Sequence, residues 1–87
     1  MQNILFQIGF DKEDIESIEV SINSNEIINL ETKINIFKKY GCSNEFIREI
    51  LINKISIFKI DEERLKYIFD AIVSNHDIIE ETILDIL

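Results

Sequence analysis

The sequence has no proline or tryptophan, two glycines, one cysteine and one histidine. A single cysteine cannot close an intramolecular disulfide, which favours a reducing, cytoplasmic setting. A zinc site takes about three or four protein ligands, and a glycine-rich phosphate loop needs clustered glycines. The composition therefore predicts a protein that holds no metal or cofactor and is not an enzyme.

Long apolar runs are also missing, because the uninterrupted apolar stretches span only a few residues. A membrane-spanning helix needs about 20 such residues. The N-terminus lacks the basic start and apolar run of a signal peptide. We expect a cytoplasmic protein with no membrane partner.

Basic residues are scarce: nine Lys and Arg stand against 17 Asp and Glu, for a net charge of −8. The charge is uneven, at −6 over residues 1–32, +2 over residues 33–72 and −4 over residues 73–87. This balance disfavours nonspecific attraction to nucleic acid.

Apolar residues are plentiful, at 46% of the 87 residues, and 21 of them are isoleucine. That length and composition predict one folded domain over residues 1–87. The bias toward isoleucine, asparagine and lysine is typical of AT-rich genomes and indicates a bacterial or phage origin.

An internal repeat organises the chain. The segment from Gly9 matches the segment from Gly41 at a period of about 32 residues, with Ile18 on Ile50 and Val20 on Ile52. Periods of about 20 to 50 residues are typical of stacked helical units. Each glycine suits the left-handed position that ends a helix, and we expect Gly41→Val to be more damaging than Gly9→Val.

Apolar spacing and capping residues predict the helices. A short helix over residues 2–8 precedes Gly9. Asp11, Ser43 and Asp61 each begin a helix, Asn23 with Glu26 offers a further capping pair, and Ser74 or Asn75 begins the last helix. The apolar stripes of these helices are formed by Ile15, Ile18, Ile22, Ile27, Leu30, Ile34, Phe37, Phe46, Ile47, Ile50, Leu51, Leu65, Ile68, Phe69 and Ile72. The last helix contains Ile78, Ile79, Ile83, Ile86 and Leu87.

The predicted fold is all-α, with about two and a half stacked helix-turn-helix repeats. Two stretches leave an alternative open, because residues 18–22 and 55–58 alternate polar and apolar types as short strands do. A helix end followed by an extended or 3₁₀ connector is the preferred interpretation of these stretches, and a small α+β domain is the alternative.

Ile8-Gly9-Phe10-Asp11 and Tyr40-Gly41-Cys42-Ser43, each followed by isoleucine-rich helices, resemble the repeat of the mitochondrial transcription termination factor family. The resemblance implies stacked helix pairs and binding of double-stranded nucleic acid. The chain departs from the family pattern at residues 53–55, where the family places a proline, and in its acidic charge. The implied fold is therefore better supported than the implied DNA binding.

Few residues are candidates for chemistry. His76 is expected at a helix N-terminus or on the surface, and Cys42 at a half-buried apolar position. The acidic pairs Glu62-Glu63 and Glu80-Glu81 are expected to be solvated first turns of helices.

Three functions remain open. The first is a protein-interaction module that binds a partner or a second copy through the apolar C-terminal residues Ile79, Ile83, Ile86 and Leu87. The second is a nucleic-acid-binding domain that uses Lys38, Lys39, Arg48 and Lys59. The third is an acidic phage- or plasmid-encoded inhibitor that occupies a basic site on a host protein with Asp11, Glu13, Asp14 and Glu16.

Overall fold

A computed structural model describes the backbone of residues 2–86 and the side chains of residues 4–84. In this part of the chain, six α-helices and one 3₁₀ helix follow one another. They are α1 (Gln2–Gln7), α2 (Lys12–Ser24), α3 (Leu30–Lys39), α4 (Asn44–Asn53), the 3₁₀ helix (Ile55–Lys59), α5 (Glu62–Ser74) and α6 (Ile79–Ile86). The all-α prediction is confirmed, and the described residues include no strand. The number of repeats stays a prediction.

The predicted N-caps of α2, α4 and α5 are confirmed by hydrogen bonds. Asp11 Oδ1 accepts from the backbone N–H of residue 14 at 2.9 Å, and Asp61 Oδ1 accepts from that of residue 64 at 2.9 Å. Ser43 Oγ accepts from the N–H of residue 46 at 3.1 Å. Each bond satisfies a backbone donor that the first helical turn leaves unpaired.

Both glycines end helices as predicted. Gly9 has a φ of +107° and Gly41 a φ of +88°. After Gly9, the N–H of Phe10 donates to the carbonyl of Leu5 at 3.1 Å, and after Gly41 the N–H of Cys42 donates to that of Phe37 at 3.1 Å. This backward bond is the mark of a Schellman motif.

Two predicted helix starts are wrong. Asn23 lies inside α2, which ends one residue beyond it, and α3 begins only at Leu30. Ser74 is the last residue of α5, and α6 begins only at Ile79. In both places the chain forms a further Schellman motif, with the N–H of Ile27 donating to Ile22 and that of Asp77 to Ile72.

The left-handed residues of these two motifs are Glu26, with a φ of 54°, and His76, with a φ of 63°. Sequence signals for such helix ends rest on glycine or asparagine, and neither position has one. The sequence therefore predicted the starts of α3 and α6 several residues too early.

The stretches that resembled strands are helical. Residues 18–22 lie within α2, and residues 55–58 form most of the 3₁₀ helix. Ile18 and Ile22 are buried while Val20 is exposed, so the alternation reflects one face of a helix. The α+β alternative therefore does not apply to the described residues.

Helix α1 packs against α2, α3 packs against α4, and α5 packs against α6. Helix α3 also packs against α5. Residues of α2 and α4 line one groove, and residues of α4 and α6 line a second. Helices α2, α4 and α6 thus lie side by side, and we call their outer surface the α2–α4–α6 face.

The core between the helices is isoleucine-rich around one aromatic cluster. The ring of Phe37 lies 5.0 Å from the ring centres of both Phe58 and Phe69 and 6.4 Å from that of Phe46. Lys33 is 2% exposed, and its Nζ donates to the carbonyl of Phe58 at 2.7 Å. This hydrogen bond ties α3 to the 3₁₀ helix, because a buried ammonium needs a polar partner.

Candidate interaction surface

The predicted partner residues at the C-terminus do not form an exposed patch within the described residues. Ile79 is 5% exposed and Ile83 is 4% exposed, and both belong to the central core. The side chain of Ile86 and the whole of Leu87 lie outside the described residues. The two described isoleucines of this set therefore pack on the chain itself, and in this structure they are not available to a partner.

A different set of apolar side chains points to solvent from the α2–α4–α6 face. Val20 on α2 is 65% exposed, Ile52 on α4 is 64% exposed and Leu84 on α6 is 39% exposed. These positions are 32 residues apart in each case. We call these three residues the apolar row.

The repeat places the apolar row on equivalent positions of neighbouring helices. The same spacing relates Ile15, Ile47 and Ile79, which are all buried. Each of these two sets thus keeps one relation to the core on all three helices. The apolar row therefore crosses the face from α2 to α6.

The groove between α2 and α4 has a volume of about 220 Å³. Its apolar lining comes from Phe10, Ile18, Leu51 and Ile52, and Asp14, Ser17 and Ser21 add polar groups. A shallow, half-apolar groove of this kind suits a side chain of another molecule.

The groove between α4 and α6 has a volume of about 330 Å³ and is strongly acidic. It is lined by four glutamates, Glu45, Glu49, Glu80 and Glu81, together with Ser43, Phe46 and Leu84. Glu80 Oε2 accepts from the backbone N–H of Ser43 at 2.8 Å and so joins α6 to the start of α4. The other three carboxylates have no hydrogen bond to a described residue and are oriented toward solvent.

Exposed carboxylates accompany the apolar row along each helix. Glu16 precedes Val20 by four residues, Glu49 precedes Ile52 by three, and Glu81 precedes Leu84 by three. Residues at these spacings share a helix face. Around a helix of about 3.6 residues per turn, a residue three positions earlier and one four positions earlier lie on opposite sides of the reference residue. Glu49 and Glu81 therefore lie on one side of the apolar row, and Glu16 lies on the other.

The residues predicted to contact nucleic acid have different surroundings. Lys38 and Lys39 end α3, where their charge complements the helix dipole. The guanidinium of Arg48 turns inward and donates to the carbonyl of Ile8. Lys59 lies in a groove that also contains Asp61, Glu62 and Glu63.

Cys42 is 7% exposed, so it is more deeply buried than the half-buried position expected from its alignment with Phe10. Burial, and secondly the negative charge of Glu80, raise the pKa of its thiol to about 12. A thiol that stays protonated at neutral pH is a weak nucleophile. His76 is exposed, but it follows the C-terminus of α5 instead of starting a helix.

Among the described residues, no group of three or more His, Cys, Asp and Glu is placed to hold a metal ion. None of the described helices is long and apolar enough to cross a membrane.

Comparison with known proteins adds no family. Neither a family model, nor a curated protein, nor a solved structure matches this chain. A functional proposal therefore depends on the surface of the molecule itself.

The sequence contained part of the signal for this surface. The alignment of Val20 with Ile52 marked two members of the apolar row, but an apolar repeat position is ordinarily buried. Leu84 lies a further 32 residues along the chain, but the sequence pattern favoured its apolar neighbours Ile83 and Ile86 instead. Exposure separates the row from the core, and exposure depends on how the helices pack.

Proposed function

We propose that this chain is a small, non-catalytic protein-interaction module that binds a partner protein through the α2–α4–α6 face. The observation that carries the proposal is the apolar row, with Val20 and Ile52 both more than 60% exposed. Exposed aliphatic side chains cost free energy in water, at about 25 cal/mol per Å² of apolar surface. A row of them across three adjacent helices, beside two grooves, is typical of an interaction surface.

Other exposed apolar residues support the proposal less well. Phe6, Ile28, Tyr67, Val73 and Ile78 are also exposed, but they are spread over α1, α5 and two loops. Scattered apolar residues are normal on protein surfaces. The apolar row differs because its members occupy equivalent positions on neighbouring helices.

The nucleic-acid hypothesis has weaker support. Arg48 is engaged with a backbone carbonyl, and Lys59 shares its groove with three carboxylates. The net charge of −8 opposes the counterion release that drives phosphate binding.

Site-specific photocrosslinking tests the proposed surface. A photoreactive phenylalanine analogue at position 52 should crosslink a protein in a lysate of the source cells, and the same analogue at position 67 should not. Tyr67 is a suitable control because it is 75% exposed and lies on α5, outside the face. Replacing Val20 and Leu84 by serine should abolish the crosslink from position 52.

Equal crosslinking from positions 52 and 67, or none from position 52, would contradict the proposal. Retention of the crosslink after the two serine substitutions would contradict it as well. Each variant should first be checked for an unchanged far-UV circular dichroism spectrum.

A further inference from the structure

The distance between members of the apolar row constrains what can bind it. Helices α2 and α4 border one groove, and α4 and α6 border a second. Helices that neighbour each other in this way lie about 10 Å apart. Along an α-helix, residues seven positions apart lie about 10.5 Å from each other on nearly the same face. In an α-helix that lies across α2, α4 and α6, successive seventh residues can therefore each contact one member of the apolar row.

The charges beside the row constrain the chemistry of that helix. Glu49 on α4 and Glu81 on α6 are exposed beside Ile52 and Leu84, on the same side of the apolar row. The α4–α6 groove adds Glu45 and Glu80, and none of the described residues that line it is basic. Arg48, the basic residue on α4, turns inward and donates to the carbonyl of Ile8, so it does not balance these carboxylates.

We propose that the partner element is a basic amphipathic α-helix. It lies across the α2–α4–α6 face, with apolar residues at every seventh position on Val20, Ile52 and Leu84. Lysine or arginine residues on its flank face Glu45, Glu49 and Glu81. A second copy of the chain does not fit this role, because each copy carries a charge of −8 and like-charged surfaces repel.

This inference rests on the proposed function, and binding of a defined peptide tests it. The probe is a synthetic peptide of about 20 residues made of leucine, lysine and alanine, with leucine at every seventh position. A second peptide has the same composition, but its leucines are distributed around the helix. Both carry the same positive charge, so a difference between them measures the apolar match and not charge alone.

We expect the first peptide to bind at least about tenfold more tightly than the second by fluorescence anisotropy. The triple variant Val20→Ser, Ile52→Ser, Leu84→Ser should lose about tenfold or more in affinity. The matched control Ile28→Ser, Tyr67→Ser, Val73→Ser removes three equally exposed apolar side chains elsewhere and should change affinity less than about twofold.

A charge series keeps the test independent of any folding defect. Replacing Glu45, Glu49 and Glu81 by glutamine should weaken binding and reduce its dependence on salt, because surface charge pairs are screened by ions. Replacing Glu13, Glu31 and Glu63 by glutamine changes the net charge equally. All three are exposed, and none lines the α4–α6 groove. This control should have a much smaller effect.

Three results would overturn the inference: no binding of the first peptide, equal binding of both peptides, or equal loss of affinity in the two charge variants. A crosslink from position 52 to a protein that the first peptide does not displace would overturn the basic helix and leave the interaction surface in place. If the triple serine variant bound the first peptide as tightly as the parent chain does, the result would contradict both the basic helix and the interaction surface. Dimerisation through the row, detected by sedimentation and abolished by the triple serine variant, would also overturn the inference.

Discussion

At the scale of single residues, backbone conformation decides what the chain tolerates. Gly9 and Gly41 both have positive φ, but their surroundings differ. A Cβ added at Gly9 would lie 2.6 Å from Nη1 of Arg48, whereas a Cβ at Gly41 would meet no atom within 4 Å. Arg48 donates to the carbonyl of Ile8, so moving its guanidinium aside to admit a Cβ would weaken that hydrogen bond.

This difference reverses the order of damage expected from the sequence. We predict that Gly41→Ala costs about 1 kcal/mol of unfolding free energy, from the left-handed conformation alone. Gly9→Ala should cost about 2 kcal/mol, since it also disrupts the hydrogen bond that Arg48 donates. Urea denaturation measures both. A cost for Gly41→Ala equal to or above that of Gly9→Ala would contradict the prediction.

The Arg48→Ala background provides a control for this pair. There the extra cost of Gly9→Ala should shrink toward that of Gly41→Ala, because the clashing guanidinium is absent. The cost of Gly41→Ala should be the same in both backgrounds.

The Cys42 thiol makes stability depend on pH at the alkaline end. Its pKa is about 12 in the folded chain, against an ordinary value of 9.0. Between about pH 9 and pH 12 the unfolded chain loses the proton and the folded chain keeps it, so stability falls as pH rises. Below pH 9 both states keep the proton, and the thiol adds no pH dependence.

We predict that Cys42→Ala reduces the fall in melting temperature between pH 8.5 and pH 10.5. Tyr40 leaves a residual slope in the same direction, because its hydrogen bond to Asp70 raises its pKa. An identical slope in the parent chain and in Cys42→Ala would show that the buried thiol does not titrate as described.

At the scale of elements, four helices end in the same hydrogen-bonding pattern. Helices α1, α2, α3 and α5 all end in a Schellman hydrogen bond, but only α1 and α3 have glycine at the left-handed position. At the ends of α2 and α5, Glu26 and His76 adopt a conformation that costs a residue with a side chain about 1–2 kcal/mol. The packing of Ile22, Ile27 and Ile72 holds these ends in place, because all three are buried.

We therefore predict that Glu26→Gly stabilises the protein by about 0.5 kcal/mol. Relief of left-handed strain outweighs the greater backbone entropy that glycine has when unfolded. Glu31→Gly, an equally exposed change in the first turn of α3, should instead destabilise by about 1 kcal/mol. Thermal or urea denaturation distinguishes the two, and loss of stability in Glu26→Gly would contradict the account of this helix end.

At the scale of the whole molecule, the C-terminal helix belongs to the core. Ile79 and Ile83 are buried with residues of every other helix in one cluster. Glu80 adds a hydrogen bond to the start of α4. The last described helix thus packs into the common core, and Leu84 lies on its outer side.

A concentration series separates this core role from the interface role expected from the sequence. We predict that Ile83→Ala lowers the unfolding free energy by about 2–4 kcal/mol, by the same amount at low and high protein concentration. Leu84→Ala should cost less than about 0.5 kcal/mol because the side chain is partly exposed. If the effect of Ile83→Ala grew as the protein was diluted, the residue would be stabilising an oligomer.

The sequence by itself determined the helical class, the N-caps at Asp11, Ser43 and Asp61, and the glycine helix ends. Each of these depends on a local rule: apolar spacing, a side-chain oxygen at a helix start, or the missing Cβ of glycine. Most of the core could be predicted from the same spacing.

Only the tertiary structure decided which apolar residues stay outside and which helix ends lack a glycine. Val20 and Ile83 are both apolar residues at helical spacing, yet one faces solvent and the other is 4% exposed. The same holds for Lys33, whose burial depends on the carbonyl of Phe58, 25 residues away in the chain. Exposure and these partners arise from contacts between distant segments, and a local pattern carries no information about such contacts.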